Sequence, residues 1–574
     1  MIKKLRTVKI MLKKNTFLHF MIAALTLSVC LFFVCSCSGK RLTAKLLDSG
    51  DCGPSLKWSF YEDGTLIISG EGEMYDFSSG GTQWEKHKDD VLYITVENGV
   101  SMISDGAFAN LTNLRSVELA DSVLSIGDKS FRYCSSLTAV KLSENLVSIG
   151  DQAFYECVTL SGVLFPDALS SIGESAFLGC KNLKEITVPA GLTAIENKAF
   201  SGCISLKTAD LHGNLKVIDD YAFSGCTALE SVTFPESLES IGYEAFSSCT
   251  SLKTADLPGK LKAIGSSAFA GCTGLESVTF PESLESIESG AFSDCTSLKT
   301  LDLPGKLKAI GSAFAGCTGL ESVTFPECLE SIERGAFSDC TSLKTLDLPG
   351  GLKVINDYAF SGCTALESVT FPENLESIEY QAFSGCTSLK MLNLPGKLKE
   401  IGDGAFYGCT GLESVTFPEN LESIEYQAFS GCTSLKTLDL PDKLTAMGSS
   451  AFYGCTSLKT ADLRGNLKVI VDYAFSGCTA LESVTFPESL ESIGYVAFSD
   501  CTSLKTLDLP GGLKVINDYA FSGCTALESV ILPESLESIG NDAFYGCTSL
   551  KTADLPDNGY RVPRAQFFYN DFSG

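Results

Sequence analysis

The chain has few of the residues that most catalytic sites need. It contains 574 residues but only three histidines, at positions 19, 87 and 212, so a histidine-based catalytic or metal site would need residues far apart in the sequence. Basic residues are also in the minority, with 43 Lys and Arg against 70 Asp and Glu and a net charge of −27. A nucleic-acid-binding protein needs a basic footprint, so we expect no nucleic-acid partner.

Recognisable enzyme motifs are missing as well. The sequence has no phosphate-binding P-loop, zinc-binding helix motif or nucleophile elbow. Gly70 and Gly72 are spaced like the first two glycines of a dinucleotide-binding loop, but Tyr75 stands where the third glycine would be. We therefore predict that the protein is not an enzyme and needs neither a cofactor nor a metal ion.

The first 36 residues have the pattern of a secretory signal. Six Lys and Arg residues between Lys3 and Lys14 precede an uncharged apolar run of 18 residues, from Phe17 to Val34. A run of this length matches a signal peptide and also reaches the lower limit for a membrane span, so an uncleaved signal anchor is the alternative.

The segment Val34-Cys35-Ser36-Cys37 resembles the bacterial lipoprotein signal, in which an aliphatic residue stands three positions before a lipidated cysteine and a small residue stands directly before it. The resemblance implies that residues 1–36 are a lipoprotein signal peptide and that Cys37 is the lipid attachment site. We therefore expect an exported lipoprotein that is held at a bacterial membrane through its N-terminal lipid only, at the cell surface in the outer membrane.

A phenylalanine recurs at a fixed interval through most of the chain. It stands at every 23rd residue from Phe108 to Phe292 and again from Phe314 to Phe544, with one 22-residue step between the two runs, which makes 20 repeats. A period of 20–29 residues with leucines at fixed offsets is typical of a leucine-rich repeat solenoid.

The repeat that starts at Leu229 shows the local pattern. Val232 and Phe234 alternate with Thr233, which indicates a short strand with one buried face, and Pro235 has no N–H with which to continue the strand. One repeat cannot bury its apolar side alone, whereas stacked repeats can. We predict a leucine-rich repeat solenoid with a parallel β-sheet on one face, loops and short irregular turns on the other, and a small N-terminal β cap.

The repeat unit L-x-x-I-G-x-x-A-F-x-G-C-T-x-L-x-x-V-x-x-P closely resembles the BspA-like class of bacterial surface leucine-rich repeats, over about residues 98–556. Residues 52–77 resemble the N-terminal cap of that class, and an Asp63-Gly64 hairpin signal lies between two apolar-alternating stretches. We assign the remaining segments accordingly: a linker at 37–50, an N-terminal β cap at 51–97, a solenoid at 98–556 and a C-terminal cap at 557–574.

Cysteine follows the same period. Nineteen of the 24 cysteines stand three residues after the repeat phenylalanine, from Cys134 to Cys547, and Leu111 holds this place in the first repeat. A spacing of 23 is not a metal-ligand spacing, and stacked side chains that point the same way are poorly aimed for disulfides. We predict a buried column of free thiols, with some disulfides as the alternative. Cys328 lies outside the column and is expected at the surface, and Cys52 could pair only with a distant cysteine.

The repeats alternate in pairs, so the duplicated block has 46 residues. Glu repeats reading LESVTFPE alternate with Lys repeats reading LKTLDLPG or LKTADLPG, which places Glu230 beside Lys207 and Lys253. The same alternation recurs one loop later, at Glu239 and Lys262. One interpretation is mutual neutralisation on a solvated face, and the other is a polar binding surface.

Two functions from different classes remain. The resemblance implies a surface binding protein or adhesin that attaches to host matrix proteins or to other bacterial surfaces, and the near-identity of the repeats favours a structural spacer of the cell envelope without a dedicated ligand. For binding, we expect 20 adjacent strands in one continuous sheet to act additively between about Lys207 and Lys551. The candidate binding face consists of Lys207, Asp210, Glu230, Ser231, Thr233, Lys253, Thr254, Asp256, Glu276, Ser277, Thr279, Lys299 and Asp302.

Overall fold

The computed structural model describes residues 44–78 and 81–554. The predicted signal peptide, the lipid-attachment residue Cys37 and the predicted C-terminal cap at 557–574 lie outside these residues. Within them the chain is a solenoid of parallel strands, and the only helix in the described part of the chain is a single 3-10 turn, Glu85–His87. The predicted leucine-rich repeat solenoid is confirmed.

The N-terminal cap is an antiparallel three-stranded sheet of β1 (Leu46–Asp51), β2 (Leu56–Tyr61) and β3 (Thr65–Gly70). The hairpin between β2 and β3 is the predicted one. β1 begins inside the segment 37–50 that was assigned to a linker, so that assignment is corrected from Leu46 onward. The sequence does not reveal this strand because its side chains are exposed or half-buried, and backbone pairing with β2 holds it.

The cap joins the solenoid without a break in the sheet. β3 pairs in parallel with the strand Tyr93–Val96, which pairs in turn with Ser116–Leu119. Tyr93–Val96 is therefore the first strand of the solenoid, although it lies in the segment 51–97 that was assigned to the cap. A two-residue strand, Gly72–Glu73, pairs with Val100–Ile103 and begins a second ladder. The cap therefore covers the open edges of both ladders, which would otherwise expose unpaired backbone groups.

Each repeat contributes an A-strand, which is the strand predicted from the sequence, except for the repeat around residues 161–166, which forms none. The A-strands are Tyr93–Val96, Ser116–Leu119, Ala139–Lys141, Glu185–Val188, Thr208–Leu211, Ser231–Thr233, Thr254–Asp256, Ser277–Thr279, Thr300–Asp302, Ser322–Thr324, Thr345–Asp347, Ser368–Thr370, Met391–Asn393, Ser414–Thr416, Thr437–Asp439, Thr460–Asp462, Ser483–Thr485, Thr506–Asp508, Ser529–Ile531 and Thr552–Asp554.

Each repeat also contributes a B-strand, which was not predicted because two residues are too few to show a period. The B-strands are Val100–Ile103, Ser125–Ile126, Ser148–Ile149, Ser171–Ile172, Ala194–Ile195, Val217–Ile218, Ser240–Ile241, Ala263–Ile264, Ser286–Ile287, Ala309–Ile310, Ser331–Ile332, Val354–Ile355, Ser377–Ile378, Glu400–Ile401, Ser423–Ile424, Ala446–Met447, Val469–Ile470, Ser492–Ile493, Val515–Ile516 and Ser538–Ile539.

The expected continuous sheet of A-strands is wrong, because the A-strands form several short sheets with two or three A-strands each, the first of which also contains the three cap strands. The ladder stops after each strand that is followed by a phenylalanine, as Ser231–Thr233 is by Phe234. The strand Ser529–Ile531 is followed by Leu532 instead, and it does pair with the next strand. The Phe234 ring packs edge-on against Phe246 at 5.7 Å, and we attribute the interruption to the extra volume of this ring at the strand end.

A third stretch, the turn segment, runs from the residue after each B-strand to the column cysteine, for example residues 242–249. It hydrogen-bonds to the next repeat, as shown by Phe246 N–H donating to the Ala268 carbonyl at 2.7 Å. Two residues in it, Glu244 and Ser248, have left-handed φ angles of 50° and 60°. The turn before Phe314 is one residue shorter, and the B-strand ladder is interrupted at that repeat.

The core of the solenoid is a column of stacked phenylalanines. The rings of Phe108 to Phe544 are buried, and neighbouring ring centroids lie 5.1 to 5.5 Å apart. At the N-terminal end, Trp84 stacks on Phe108 at 5.3 Å and so closes the column. Burial of these rings supplies much of the stability that no single repeat has alone.

Candidate functional site

The predicted binding face lies on the A-strands, and its side chains are exposed except for Asp210, which is half-buried. Parallel pairing brings the residues of neighbouring repeats side by side, with Thr254 opposite Ser277 and Asp256 opposite Thr279. The Thr279 hydroxyl donates a hydrogen bond to Asp256 at 2.9 Å. The ladder does not join Thr233 to Asp256, so the face is a series of paired strands.

Opposite charges meet at the start of the A-strands, as the alternation predicted. Lys207 Nζ lies 3.7 Å from Glu230 Oε1, and all of these side chains are about half exposed or more. The other pairs are Lys253–Glu276 at 3.6 Å, Lys344–Glu321 at 2.9 Å, Lys390–Glu367 at 3.9 Å, Lys436–Glu413, Lys505–Glu482 at 3.5 Å and Lys551–Glu528 at 3.6 Å. The hydrogen bond from Lys344 lowers the pKa of Glu321.

A second row of ion pairs runs beside the B-strands. It includes Lys216–Glu239 at 3.6 Å, Lys353–Glu330 at 3.7 Å, Lys399–Glu422 at 3.4 Å, and Glu491 with both Lys468 at 3.5 Å and Lys514 at 2.9 Å. Exposed pairs of this kind contribute only about 0–1 kcal/mol each. Charges on a ligand can therefore replace these pairs at little cost to the fold.

From Lys207 onward the alternation is broken once, where two Lys repeats follow each other. Lys436 and Lys459 occupy successive repeats, and Asp439 lies directly opposite Asp462 in the paired A-strands. Arg464 bridges the two carboxylates, with Nη2 2.7 Å from Asp439 and Nε 2.9 Å from Asp462. The B-strand ladder is also interrupted at this repeat, which makes it a local departure from the regular surface.

The cysteine column is buried, as predicted. Each of the 19 cysteines from Cys134 to Cys547 is buried and free, and its Sγ donates to the carbonyl of the phenylalanine in the preceding repeat at 3.1 to 3.4 Å. Burial raises the pKa of Cys409 to about 12. A thiol held neutral in this way is a poor nucleophile and a poor metal ligand.

The two described cysteines outside the column differ from each other. Cys328 is exposed, as expected, and its Sγ donates to the carbonyls of Gly305 at 3.1 Å and Leu307 at 3.2 Å. Cys52 is buried in the cap, and burial raises its pKa to about 12. The described residues contain no group of His, Cys, Asp and Glu that could hold a metal ion, and their one 3-10 turn cannot cross a membrane.

One feature of the surface was missed by the sequence analysis. Thirteen of the 18 tyrosines stand in turn segments, within three residues of the repeat phenylalanine, and most of them are exposed. The sequence does contain a signal for it, which is the concentration of tyrosine near the repeat phenylalanines. It was overlooked because these tyrosines occupy four different offsets from the phenylalanine and so do not form a fixed-period column.

The stacked parallel strands, the phenylalanine column and the fixed repeat together define a leucine-rich repeat protein. The sequence pattern described as BspA type leucine rich repeat region matches in six overlapping copies, at residues 101–228, 148–274, 193–313, 303–412, 376–501 and 450–573. The chain therefore belongs to the BspA type leucine-rich repeat family. No curated protein matches it.

Solved structures of bacterial leucine-rich repeat proteins are similar to this chain. A leucine-rich repeat protein from Bacteroides ovatus is 26% identical, with 89% of this chain and 95% of that chain covered and a TM-score of 0.33. A leucine rich cell surface protein from Faecalibacterium prausnitzii is 24% identical, with coverages of 71% and 95% and a TM-score of 0.33. The leucine rich repeat protein of T. pallidum is 25% identical, with coverages of 35% and 91% and a TM-score of 0.28.

Proposed function

We propose that this protein is an exported bacterial surface lipoprotein whose solenoid binds protein ligands and serves in adhesion to host matrix proteins or to other bacterial surfaces. The observation that supports it is the recurrence of equivalent, exposed Lys–Glu pairs along the A-strand face. Leucine-rich repeat solenoids typically bind proteins rather than catalyse reactions, and we propose no enzymatic activity here.

The proposed location depends on Cys37. An uncharged apolar run followed by Val34-Cys35-Ser36-Cys37 fits export and lipidation. Cys37→Ser is expected to leave an uncleaved or soluble product, and mass spectrometry of the native protein should find a diacylated or triacylated Cys37 at the N-terminus. Protease treatment of intact cells should remove the repeats. Protection of the repeats would favour a periplasmic position instead.

The proposed binding mode is additive. Each pair of repeats presents the same chemistry every 46 residues, and the weak internal ion pairs can exchange with charges on a ligand. Many weak contacts on one rigid body gain affinity from multivalency. Because the contacts are charged and exposed, binding should weaken as the salt concentration rises.

The test compares two sets of lysines on the purified chain. One variant replaces Lys253, Lys299, Lys344 and Lys390 by Gln on the A-strand face, and the matched control replaces Lys308, Lys353, Lys399 and Lys468 beside the B-strands. Binding is measured on an immobilised extracellular matrix preparation and on whole bacterial cells. The proposal expects a clear loss for the first variant and a smaller change for the control. Equal effects of both variants would contradict a specific role of the A-strand face.

The alternative function is a structural spacer of the cell envelope. The near-identity of the repeats supports it, since a single specific site would need repeats that differ. Cells that lack the protein are complemented with the full chain or with a chain shortened by four repeat pairs. Unchanged adhesion of all three strains, with an altered envelope only in the deletion strain, would favour the spacer.

A further inference from the structure

The last nine turn segments each contain one tyrosine, and we call these nine residues the tyrosine row. The segments are residues 356–363, 379–386, 402–409, 425–432, 448–455, 471–478, 494–501, 517–524 and 540–547, and their tyrosines are Tyr358, Tyr380, Tyr407, Tyr426, Tyr453, Tyr473, Tyr495, Tyr519 and Tyr545. In the first eleven turn segments, only four contain a tyrosine, so the row is a feature of the C-terminal half of the solenoid.

The backbone places several of these tyrosines next to one another. Tyr473 N–H donates to the Tyr495 carbonyl at 3.0 Å, and Tyr358 N–H donates to the Tyr380 carbonyl at 2.9 Å. The rings of Tyr473 and Tyr495 meet edge to face with centroids 5.4 Å apart, and those of Tyr495 and Tyr519 lie 6.0 Å apart. From Tyr380 onward every tyrosine of the row is 37% to 53% exposed. Apolar ring surface is thus presented to solvent in every one of these turn segments, at one of three offsets from the repeat phenylalanine.

The charge of the same nine turn segments has one sign. They contain eight carboxylates and no Lys or Arg, whereas the A-strand face balances Lys against Glu. The carboxylates are Asp357, Glu379, Asp403, Glu425, Asp472, Asp500, Asp518 and Asp542. Exposed rings beside uncompensated carboxylates favour a cationic ligand over an anionic one, because both the ring faces and the carboxylates attract positive charge.

The chain itself shows which group fits on these rings. In the earlier repeats, the Arg132 guanidinium lies 4.7 Å from the ring centroid of Tyr133 and 4.9 Å from that of Tyr155. Lys198 Nζ lies 5.2 Å from the centroid of the next repeat's tyrosine, Tyr221. Arg334 lies 5.4 Å from the ring centroid of Tyr358, which is the first member of the row and is half-buried, whereas the other members are exposed.

Among the described residues, such cation contacts stop at Tyr358. The repeat before Tyr473 has Ser450 at the position from which Lys198 reaches Tyr221, so the chain supplies no cation there. Within the described residues, the eight tyrosines from Tyr380 to Tyr545 are therefore exposed and have no Arg or Lys contact of the kind that covers Tyr133, Tyr155 and Tyr221.

We propose that the row from Tyr380 to Tyr545 is a docking surface for an arginine-rich basic segment of a partner protein. Arginine is favoured over lysine because its planar guanidinium stacks on aromatic rings and is less strongly hydrated. Eight repeats at ~4.8 Å span roughly 34 Å, which an extended segment of about ten residues matches. This surface lies on the turn segments, so it is separate from the A-strand face and does not depend on the function proposed for that face.

The experiment uses the full chain and a nona-arginine peptide as the probe, with calorimetric titration at physiological salt. Nona-lysine and a neutral Gly-Ser nonapeptide are the comparison probes. Nona-arginine should bind more tightly than nona-lysine, and the neutral peptide should not bind. A variant with Tyr473, Tyr495 and Tyr519 all replaced by Leu keeps apolar area but loses the ring faces, and it should bind nona-arginine about tenfold more weakly.

A second variant leaves every tyrosine in place. Ser450→Lys puts a cation at the position from which Lys198 covers Tyr221, so it should compete with the peptide at Tyr473 and weaken nona-arginine binding severalfold. The matched control, Ser450→Gln, should bind as the unchanged chain does. Both residues suit the left-handed backbone there, because Lys198 and Gln427 hold the equivalent position with φ of 56° and 55° against 61° for Ser450.

Three results would overturn the proposal. Unchanged binding in the Leu variant would mean that the overall negative charge attracts the peptide without the rings. Equal effects of Ser450→Lys and Ser450→Gln on nona-arginine binding would show that the peptide does not bind at the Tyr473 ring. Tyrosine-dependent binding of a neutral β-linked oligosaccharide without binding of nona-arginine would make the row a glycan surface instead.

Discussion

Replacing Phe406 by Ala should open a large cavity in the middle of the solenoid. The ring is fully buried, and its centroid lies 5.5 Å from that of Phe383 and 5.3 Å from that of Phe429. Removal of a buried Phe side chain costs about 3–5 kcal/mol, and the loss of two stacked neighbours favours the upper part of this range.

The matched control is Cys409→Ala in the same repeat. Its Sγ donates to the carbonyl of Phe383 at 3.2 Å, and its removal leaves a small cavity, so we expect a cost of about 1 kcal/mol. Urea unfolding followed by circular dichroism measures both variants. Hydrogen exchange measures where the loss occurs, because solenoid stability is a sum of repeat and neighbour terms.

The pattern of hydrogen exchange shows whether the destabilisation by Phe406→Ala stays local. Amides in the repeats around Phe406 should lose protection, while those of the N-terminal cap should keep it. A Phe406→Ala variant that is no less stable than Cys409→Ala would refute the stacked column as the main source of cohesion. A uniform loss of protection from the cap to the last repeat would refute the nearest-neighbour account of the fold.

Three further predictions follow from the packing. In the folded protein an alkylating reagent should modify Cys328 and leave the 19 column cysteines, Cys134 to Cys547, unmodified. In denaturant without reductant it should modify all of them, and mass spectrometry that finds mainly disulfides would contradict this. Phe417→Leu should let its A-strand pair with the next one, so hydrogen exchange at residue 417 should slow, and an unchanged rate would disprove the role of ring volume. Hydrogen bonds from Lys86 and then His87 lower the pKa of Asp48 from 3.8 to about 2, so the contact of Asp48 with these two residues is complete above pH 3.8 and is lost as the pH falls towards 2. The two tryptophans, both in the cap, should report this step by fluorescence. An Asp48→Asn variant that keeps the step would contradict the assignment.

The sequence alone was sufficient for features that repeat on a fixed period. The phenylalanine and cysteine columns, the A-strands and the meeting of Lys207 with Glu230 all follow from stacking identical units in register. The β2–β3 hairpin of the cap was predictable for a different reason, since local alternation and Asp63-Gly64 are both short-range signals.

The remaining features depend on volume or on backbone pairing that periodicity does not express. β1 shows no apolar alternation, and a two-residue B-strand shows no period. The break after each strand followed by a phenylalanine, such as Phe234, depends on how a larger ring fits at a strand end, which is evident only by comparison with Leu532. The tyrosine row was visible in the composition of the turn segments, but its contact geometry required the structure.

The most direct test of the proposed function removes repeat pairs while keeping the register of the stack. Deleting residues 367–412 joins Leu366 to Glu413 and preserves the alternation, and further 46-residue blocks can be removed in the same way. Chains that lack one, two and four pairs are compared on the same immobilised matrix preparation. The account predicts that binding weakens gradually with each pair removed. Complete loss on removal of one particular pair, or unchanged binding when only the N-terminal cap remains, would contradict it.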